Sequence, residues 1–151
     1  MRWLMALVCS LGVAFAATGP YDESADAKAQ VREAVAQAKA DHRPVLVVFG
    51  ANWCPDCRAL DIAMKNGRNA ELIGKEFRVV KVDVGRFDKN VDVAAAYDVP
   101  LKKGIPAVAI VSPDNRALYA TKAGELADAR GMSEDGLYQF FRKAADESRR
   151  R

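Results

Sequence analysis

The chain contains a single histidine, His42. One histidine cannot serve a Ser/His/Asp hydrolytic site together with its alternatives, and it leaves a closed tetrahedral zinc site short of ligands. Charge of one sign is also scarce. The formal net charge is only +3, too small to imply nucleic acid or acidic lipid as a partner. Glycine-rich phosphate cradles, internal repeats and low-complexity segments are absent. No apolar run reaches the ~20 residues a membrane-spanning helix needs. Cysteine is sparse too, at three: Cys9, Cys54 and Cys57.

The first of these lies in a segment that does not belong to the fold. Arg2 supplies a positive start, Leu4 to Val13 is apolar, and Ala14-Phe15-Ala16 has the small-x-small form of a cleavage site. Residues 1–16 therefore read as a secretory signal peptide, and residues 17–151 as one exported, periplasmic-type domain. Removing Arg2 lowers the positive charge by one. It also leaves Cys54 and Cys57 as an even pair in an oxidising compartment, able to form a disulfide.

That pair sits in Trp53-Cys54-Pro55-Asp56-Cys57, between an apolar β-type run, Val45 to Phe49, and a helical pattern from Arg58. A bridge across so few residues constrains little of the unfolded chain, which favours redox chemistry over stapling. Pro55 suits the first turn of the helix. A cysteine at a helix N-terminus meets free N–H groups and the positive end of the dipole, both of which favour thiolate. Cys54 is thus the expected exposed attacking sulfur, and Cys57, one turn further in, the buried resolving thiol. Trp53 is expected to form a partly exposed apolar rim where partners dock.

Around this motif the pattern is α-β-α-α-β-α-β-β-α. A helix is expected over Ser24–Ala40 with Ser24 as N-cap, ending near His42 before Pro44. His42 reads as a cation-capable residue at that helix C-terminus. A helix bearing Leu60, Ala63 and Met64 ends at Asn66-Gly67. Asn69 caps a short helix through Ile73. Phe77–Val84 reads as a second buried strand, and Asn90 opens a helix carrying Ala94, Ala95 and Tyr97. Ala107–Val111 and Arg116–Thr121 flank the turn Ser112–Asn115 as an antiparallel hairpin. Ser133 caps a last helix with the apolar stripe Leu137, Phe140, Phe141 and Ala144. Arg149-Arg150-Arg151 reads as a solvated tail.

The tryptophan-plus-CxxC motif after an apolar strand resembles the thioredoxin-like family, and Gly104-Ile105-Pro106 resembles that family's cis-proline loop. The resemblance covers nearly all of residues 17–151. It implies an α/β three-layer sandwich with a central mixed sheet of four to five strands flanked by helices. It implies that Pro106 lies beside the cysteines and that the Ile105 backbone pairs with an extended substrate segment. Gly124 falls near a family glycine that lets substrate approach; a plain turn glycine is the alternative.

The chain also departs from the family. Val48 stands six residues before Cys54, where a buried Asp is common, and cannot take a proton from the resolving thiol. Lys81 lies where the lysine accompanying that Asp is often found. A surface-directed lysine at a strand end is the preferred reading, with redox tuning through its charge as the other. Pro55-Asp56 replaces a more familiar Gly-Pro interior. Asp56 is expected to oppose the thiolate, with Arg58 offsetting it in part. Asp56 and Asp61 otherwise read as helix-surface acids. Extra residues at 99–103 and 127–132 either shape partner choice or form neutral surface loops.

The reading is a thiol–disulfide oxidoreductase acting on protein thiols and disulfides, a reductant more than a strong oxidase. It needs no cofactor, works as a soluble monomer, and is recharged by a membrane or soluble redox partner. Metal or copper handling through the two thiolates is one alternative. A non-catalytic binding module with a structural disulfide is the other.

Overall fold

The computed structural model describes residues 19–151; the expected leader, residues 1–16, lies outside them. Nine regular elements follow in the expected order: α1 (Ala27–Asp41), β1 (Val45–Gly50), α2 (Pro55–Met64), α3 (Gly67–Glu76), β2 (Arg78–Asp83), α4 (Val91–Ala96), β3 (Ala107–Val111), β4 (Ala117–Ala120) and α5 (Glu134–Arg149). Short 3-10 turns occupy Leu101–Lys103 and Ala129–Gly131.

The strands form one mixed four-stranded sheet in the order β2-β1-β3-β4. β1 runs parallel to β2 and antiparallel to β3, and β3–β4 is an antiparallel hairpin. β1 and β3 are wholly buried, which is why both read as unbroken apolar runs. Val45, Val47 and Phe49 meet α1 and α4 on one face. Leu46 and Val48 meet Leu60, Ile73, Leu137 and Phe141 on the other. Helices on both faces give the three-layer sandwich.

Several local expectations are corrected. Asp26, not Ser24, caps α1: its Oδ1 accepts from Ala29 N at 3.0 Å. The Ser24 hydroxyl is taken by Asp22, at 2.7 Å. Helix α3 starts at Gly67, and Asn69 lies inside it, buried, donating to the Glu134 carbonyl at 3.3 Å. β2 is an edge strand whose Val79 is exposed. Its alternation places Lys81 and Asp83 on one face and Val80 and Val82 on the other. Arg149 is no loose tail. It closes the last turn of α5 and pairs with Asp146 at 2.7 Å and with Glu76. The N-cap of α5 is as expected, with Ser133 Oγ accepting from Gly136 N at 3.0 Å.

Phe141 fixes α5 to the sheet and is 1% exposed. Phe141→Ala is expected to lower unfolding free energy by about 3–5 kcal/mol, read from the midpoint of denaturant unfolding.

Candidate active site

Strand β1 delivers Gly50 at its end, and three residues later the chain turns into α2. Cys54 is the N-cap of α2, with φ −82° and ψ 114°. Pro55 follows at the first helical position, where its missing N–H costs nothing. Cys54 and Cys57 are joined as a disulfide with Cα atoms 5.2 Å apart. Cys54 Sγ accepts the Cys57 backbone N–H at 3.1 Å, so the helix end donates directly to this sulfur.

The expected difference in exposure between the two sulfurs is small. Cys54 is 4% exposed and Cys57 0%. Cys54 is covered because Ile105 lies over it, with the Ile105 carbonyl oxygen 3.7 Å from Sγ. The Ile105–Pro106 peptide bond is cis, and the Ile105 carbonyl brings the loop 104–106 against Cys54. Gly104 precedes it at φ +116°. Gly124, at φ +74°, is needed by the chain itself: a Cβ there would overlap the Lys103 carbonyl oxygen.

Trp53 is 41% exposed, yet its ring is fastened. Its Nε1 donates to the Gly85 carbonyl at 2.8 Å, and its edge meets Phe87 with centroids 6.2 Å apart. The Arg86 guanidinium lies 5.1 Å from the ring centre. Phe87 and Val91 extend this exposed apolar rim towards a groove lined by Val99, Pro100 and Leu101.

The candidate tuning residues are placed differently from expectation. Asp56 stays in the first turn of α2, but its Oδ1 accepts from Arg130 through the backbone N at 3.0 Å and Nε at 3.2 Å. Arg58 does not pair with Asp56; it donates to the Asn52 carbonyl at 2.7 Å and holds the loop before the cysteines. Lys81 is not surface-directed. It pairs with Asp61, which also binds Lys65 at 2.8 Å. The side chains of Asp56 and Asp61 are only 14% and 12% exposed, so neither is a plain surface acid. Burial works against the Asp61 carboxylate, but the two lysines outweigh it and hold its pKa below the usual range. The two longer loops are likewise built in: Val99 and Leu101 are buried, and the 129–131 turn is tied to α2 through Asp56.

Sequence reasoning passed over Tyr21 and Asp83. Tyr21 is 1% exposed. Asn52 seats it by two hydrogen bonds, accepting from Tyr21 N at 2.9 Å and donating to Tyr21 O at 2.8 Å. Its hydroxyl occupies the space that a side chain on Gly50 would need. A Cβ there would overlap the Tyr21 oxygen and lie 3.0 Å from Cys57 Sγ. Asp83 is 4% exposed, and neither carboxylate oxygen has a hydrogen-bond partner among the described residues. The one available signal was a carboxylate inside the valine alternation of β2. Among the described residues no three His, Cys, Asp or Glu side chains gather as a metal site, and no helix is long and apolar enough to cross a membrane.

A mixed sheet between helical layers, with a CxxC disulfide at the N-terminus of α2 facing a cis-proline loop, is the thioredoxin-like arrangement. A thioredoxin-like family model matches residues 26–113, and the chain belongs to that family. It is 55% identical to a disulphide isomerase from Xylella fastidiosa Temecula1, over 83% of this chain and 95% of that one, with a TM-score of 0.80. The chain is a thiol–disulfide oxidoreductase. Two more distant structures share the fold. The oxidised DsbD C-terminal domain of Neisseria meningitidis has a TM-score of 0.57 at 18% identity, covering 78% of this chain and 95% of that one. A thioredoxin from Thermus thermophilus has 0.56 at 21%, covering 78% and 85%. Comparison with curated protein sequences finds no match.

Proposed function

We propose that residues 17–151 form an exported domain, released from the leader 1–16, that exchanges disulfides with protein substrates through Cys54 and Cys57. Cys54 attacks, Cys57 resolves, and Trp53, Ile105 and Pro106 meet the substrate segment. Phe87 and Val91 continue the apolar contact from Trp53. In this reading the domain acts as a reductant or mild oxidant.

The observation that carries the direction is the company of Cys54 Sγ. One backbone N–H donates to it, no side chain among the described residues does, and the Ile105 carbonyl oxygen faces it. A carbonyl oxygen favours thiol over thiolate. A less stabilised thiolate makes a less oxidising disulfide. Asp56 adds negative charge in the same turn, moderated by Arg130. Equilibration with glutathione, followed by Trp53 fluorescence, is expected to give a potential nearer about −270 mV than about −120 mV. A value near the upper figure would sink the direction and leave the exchange chemistry standing.

Disulfide isomerisation is the second reading, favoured by the 55% identity to a disulphide isomerase. It uses the same attack by Cys54, but the substrate's own thiol, not Cys57, completes the exchange. Recovery of activity from a scrambled disulfide protein, with no net oxidant or reductant, distinguishes it.

A further inference from the structure

A segment from before the first helix closes the far side of the disulfide. Residues 19–24 cross the loop that leads from β1 into the cysteine motif, and Asn52 of that loop holds them. Its Oδ1 accepts from Tyr21 N at 2.9 Å, and its Nδ2 donates to Tyr21 O at 2.8 Å and to Glu23 Oε1 at 3.2 Å. Gly19 lies so close to the Asn52 side chain that a Cβ there would come within 2.2 Å of Oδ1. Lys89 Nζ donates to the Glu23 carbonyl at 3.4 Å. The Asn52 backbone is fixed in turn, accepting from Arg58 on α2 at 2.7 Å. One side chain, directly before Trp53 and Cys54, thus ties this strap to the motif.

The strap delivers Tyr21 into the hollow that Gly50 leaves at the end of β1. A Cβ on Gly50 would lie 2.3 Å from the Tyr21 hydroxyl oxygen, 2.5 Å from its ring carbon Cζ and 3.0 Å from Cys57 Sγ. The phenol end and the sulfur therefore border the same small space. Both residues are sealed from solvent. Burial first, then Asp61 and Asp83, raises the Tyr21 pKa, so the phenol stays neutral and acts on the sulfur by its volume.

Volume matters because the two redox states differ in size. Two bonded sulfurs sit closer than two that merely touch, so reduction requires one of them to draw back. Cys54 Sγ has the Ile105 carbonyl oxygen at 3.7 Å and the Cys57 backbone N at 3.1 Å. Cys57 has the end of Tyr21. A close-packed wall gives way little.

We propose that Tyr21, held by Asn52, is a positioning residue that walls Cys57 and favours the closed disulfide over the dithiol, making the pair more strongly reducing. The inference rests on Cys54 and Cys57 exchanging disulfides with partners, and it supplies a packing cause for the reducing direction. In that exchange the dithiol gives up two electrons and two protons, and the partner disulfide takes them up as two thiols. The Cys54–Cys57 bond forms and the partner's S–S bond breaks. Tyr21 and Asn52 transfer neither proton nor electron. They set the balance between the two forms by limiting the room on one side.

The test is equilibration of the protein with glutathione buffers at pH 7, with the dithiol fraction read by thiol alkylation and mass. Tyr21→Ala empties the hollow and is expected to shift the equilibrium about tenfold towards dithiol, or about 30 mV less reducing. Asn52→Ala frees the strap and is expected to shift it the same way, by less. Gly50→Ala on the Tyr21→Ala background returns a methyl group to the hollow, 3.0 Å from Cys57 Sγ, and is expected to recover most of the shift. General loosening of the fold does not produce that recovery. Where Tyr21→Ala does not fold, Asn52→Ala and Tyr21→Phe carry the comparison, and both are expected to move towards dithiol. Equal constants in wild type and the folded variants would overturn the wall, and so would a Tyr21→Ala shift that Gly50→Ala leaves untouched. A wild type that does not equilibrate with glutathione would overturn the exchange reading, and the wall with it.

Discussion

Cys57→Ala protein, expressed in an exporting cell, is expected to accumulate as a mixed disulfide on Cys54. Attack needs only the sulfur at the N-cap of α2, which keeps its place at the helix end when Cys57 is truncated. Release needs a second thiol at the right distance, and with Cα atoms 5.2 Å apart Cys57 is the one that reaches. Truncation converts a transient intermediate into a stalled one. Resolution within the domain is abolished, and loss of the adduct then depends on external thiols, slower by roughly two orders of magnitude or more. Non-reducing electrophoresis followed by mass spectrometry of the trapped species reads the result and identifies the substrate. If no adduct accumulates while the protein is folded and exported, the catalytic assignment of this pair fails.

The second large effect is at Cys54. Cys54→Ser is expected to remove exchange in both directions, by roughly three orders of magnitude or more, because a hydroxyl neither ionises usefully nor forms the mixed disulfide. The variant should fold. Serine is a favoured N-cap, and its oxygen can accept the Cys57 N–H that now reaches Sγ. In the reduced wild-type protein, alkylation is expected to be rapid, pH-dependent and confined to Cys54, since Cys57 is wholly covered. Equal, slow labelling of both thiols would point instead to a structural disulfide. The two variants differ in kind: one leaves no covalent partner, and the other leaves a permanent one.

The covered state of Cys54 bears on partner choice. Cys54 is 4% exposed in the disulfide form, and in the proposed function a substrate sulfur approaches along the Ile105 loop and the Trp53 side of the motif. Trp53 is anchored to the Gly85 carbonyl and braced by Phe87. This rim is therefore preorganised, which reduces the ordering cost of docking an extended segment.

Much of this was legible in one dimension. Helix and strand identity followed from periodicity in windows of ten residues or so: the α5 stripe with its Ser133 cap, the unbroken apolar runs of β1 and β3, and the turn at Ser112–Asn115. The CxxC motif at a strand–helix junction is equally local, and so is the thiolate-favouring helix end. What failed was partnership across the chain. Ser24 was a reasonable cap until Asp22 took its hydroxyl and Asp26 supplied the carboxylate. Lys81, Asp61 and Asp56 looked like solvated charges because their partners lie on other elements. Phe77–Val84 read as a buried strand because an edge position depends on strand order, which apolar content does not encode.

The sequence by itself determined that a dithiol pair sits at the start of a helix after a central strand, and which of the two sulfurs meets the helix end. Short-range geometry settles those features, and the spacing of residues records it directly. Only the tertiary structure decided what surrounds the pair. It laid Ile105 over Cys54 and turned Asp56 towards Arg130. It also brought Tyr21, from before the first helix, into the gap at Gly50 beside Asp83 and Cys57. Those contacts join residues from separate stretches through the packing of layers, and no window of the sequence contains them.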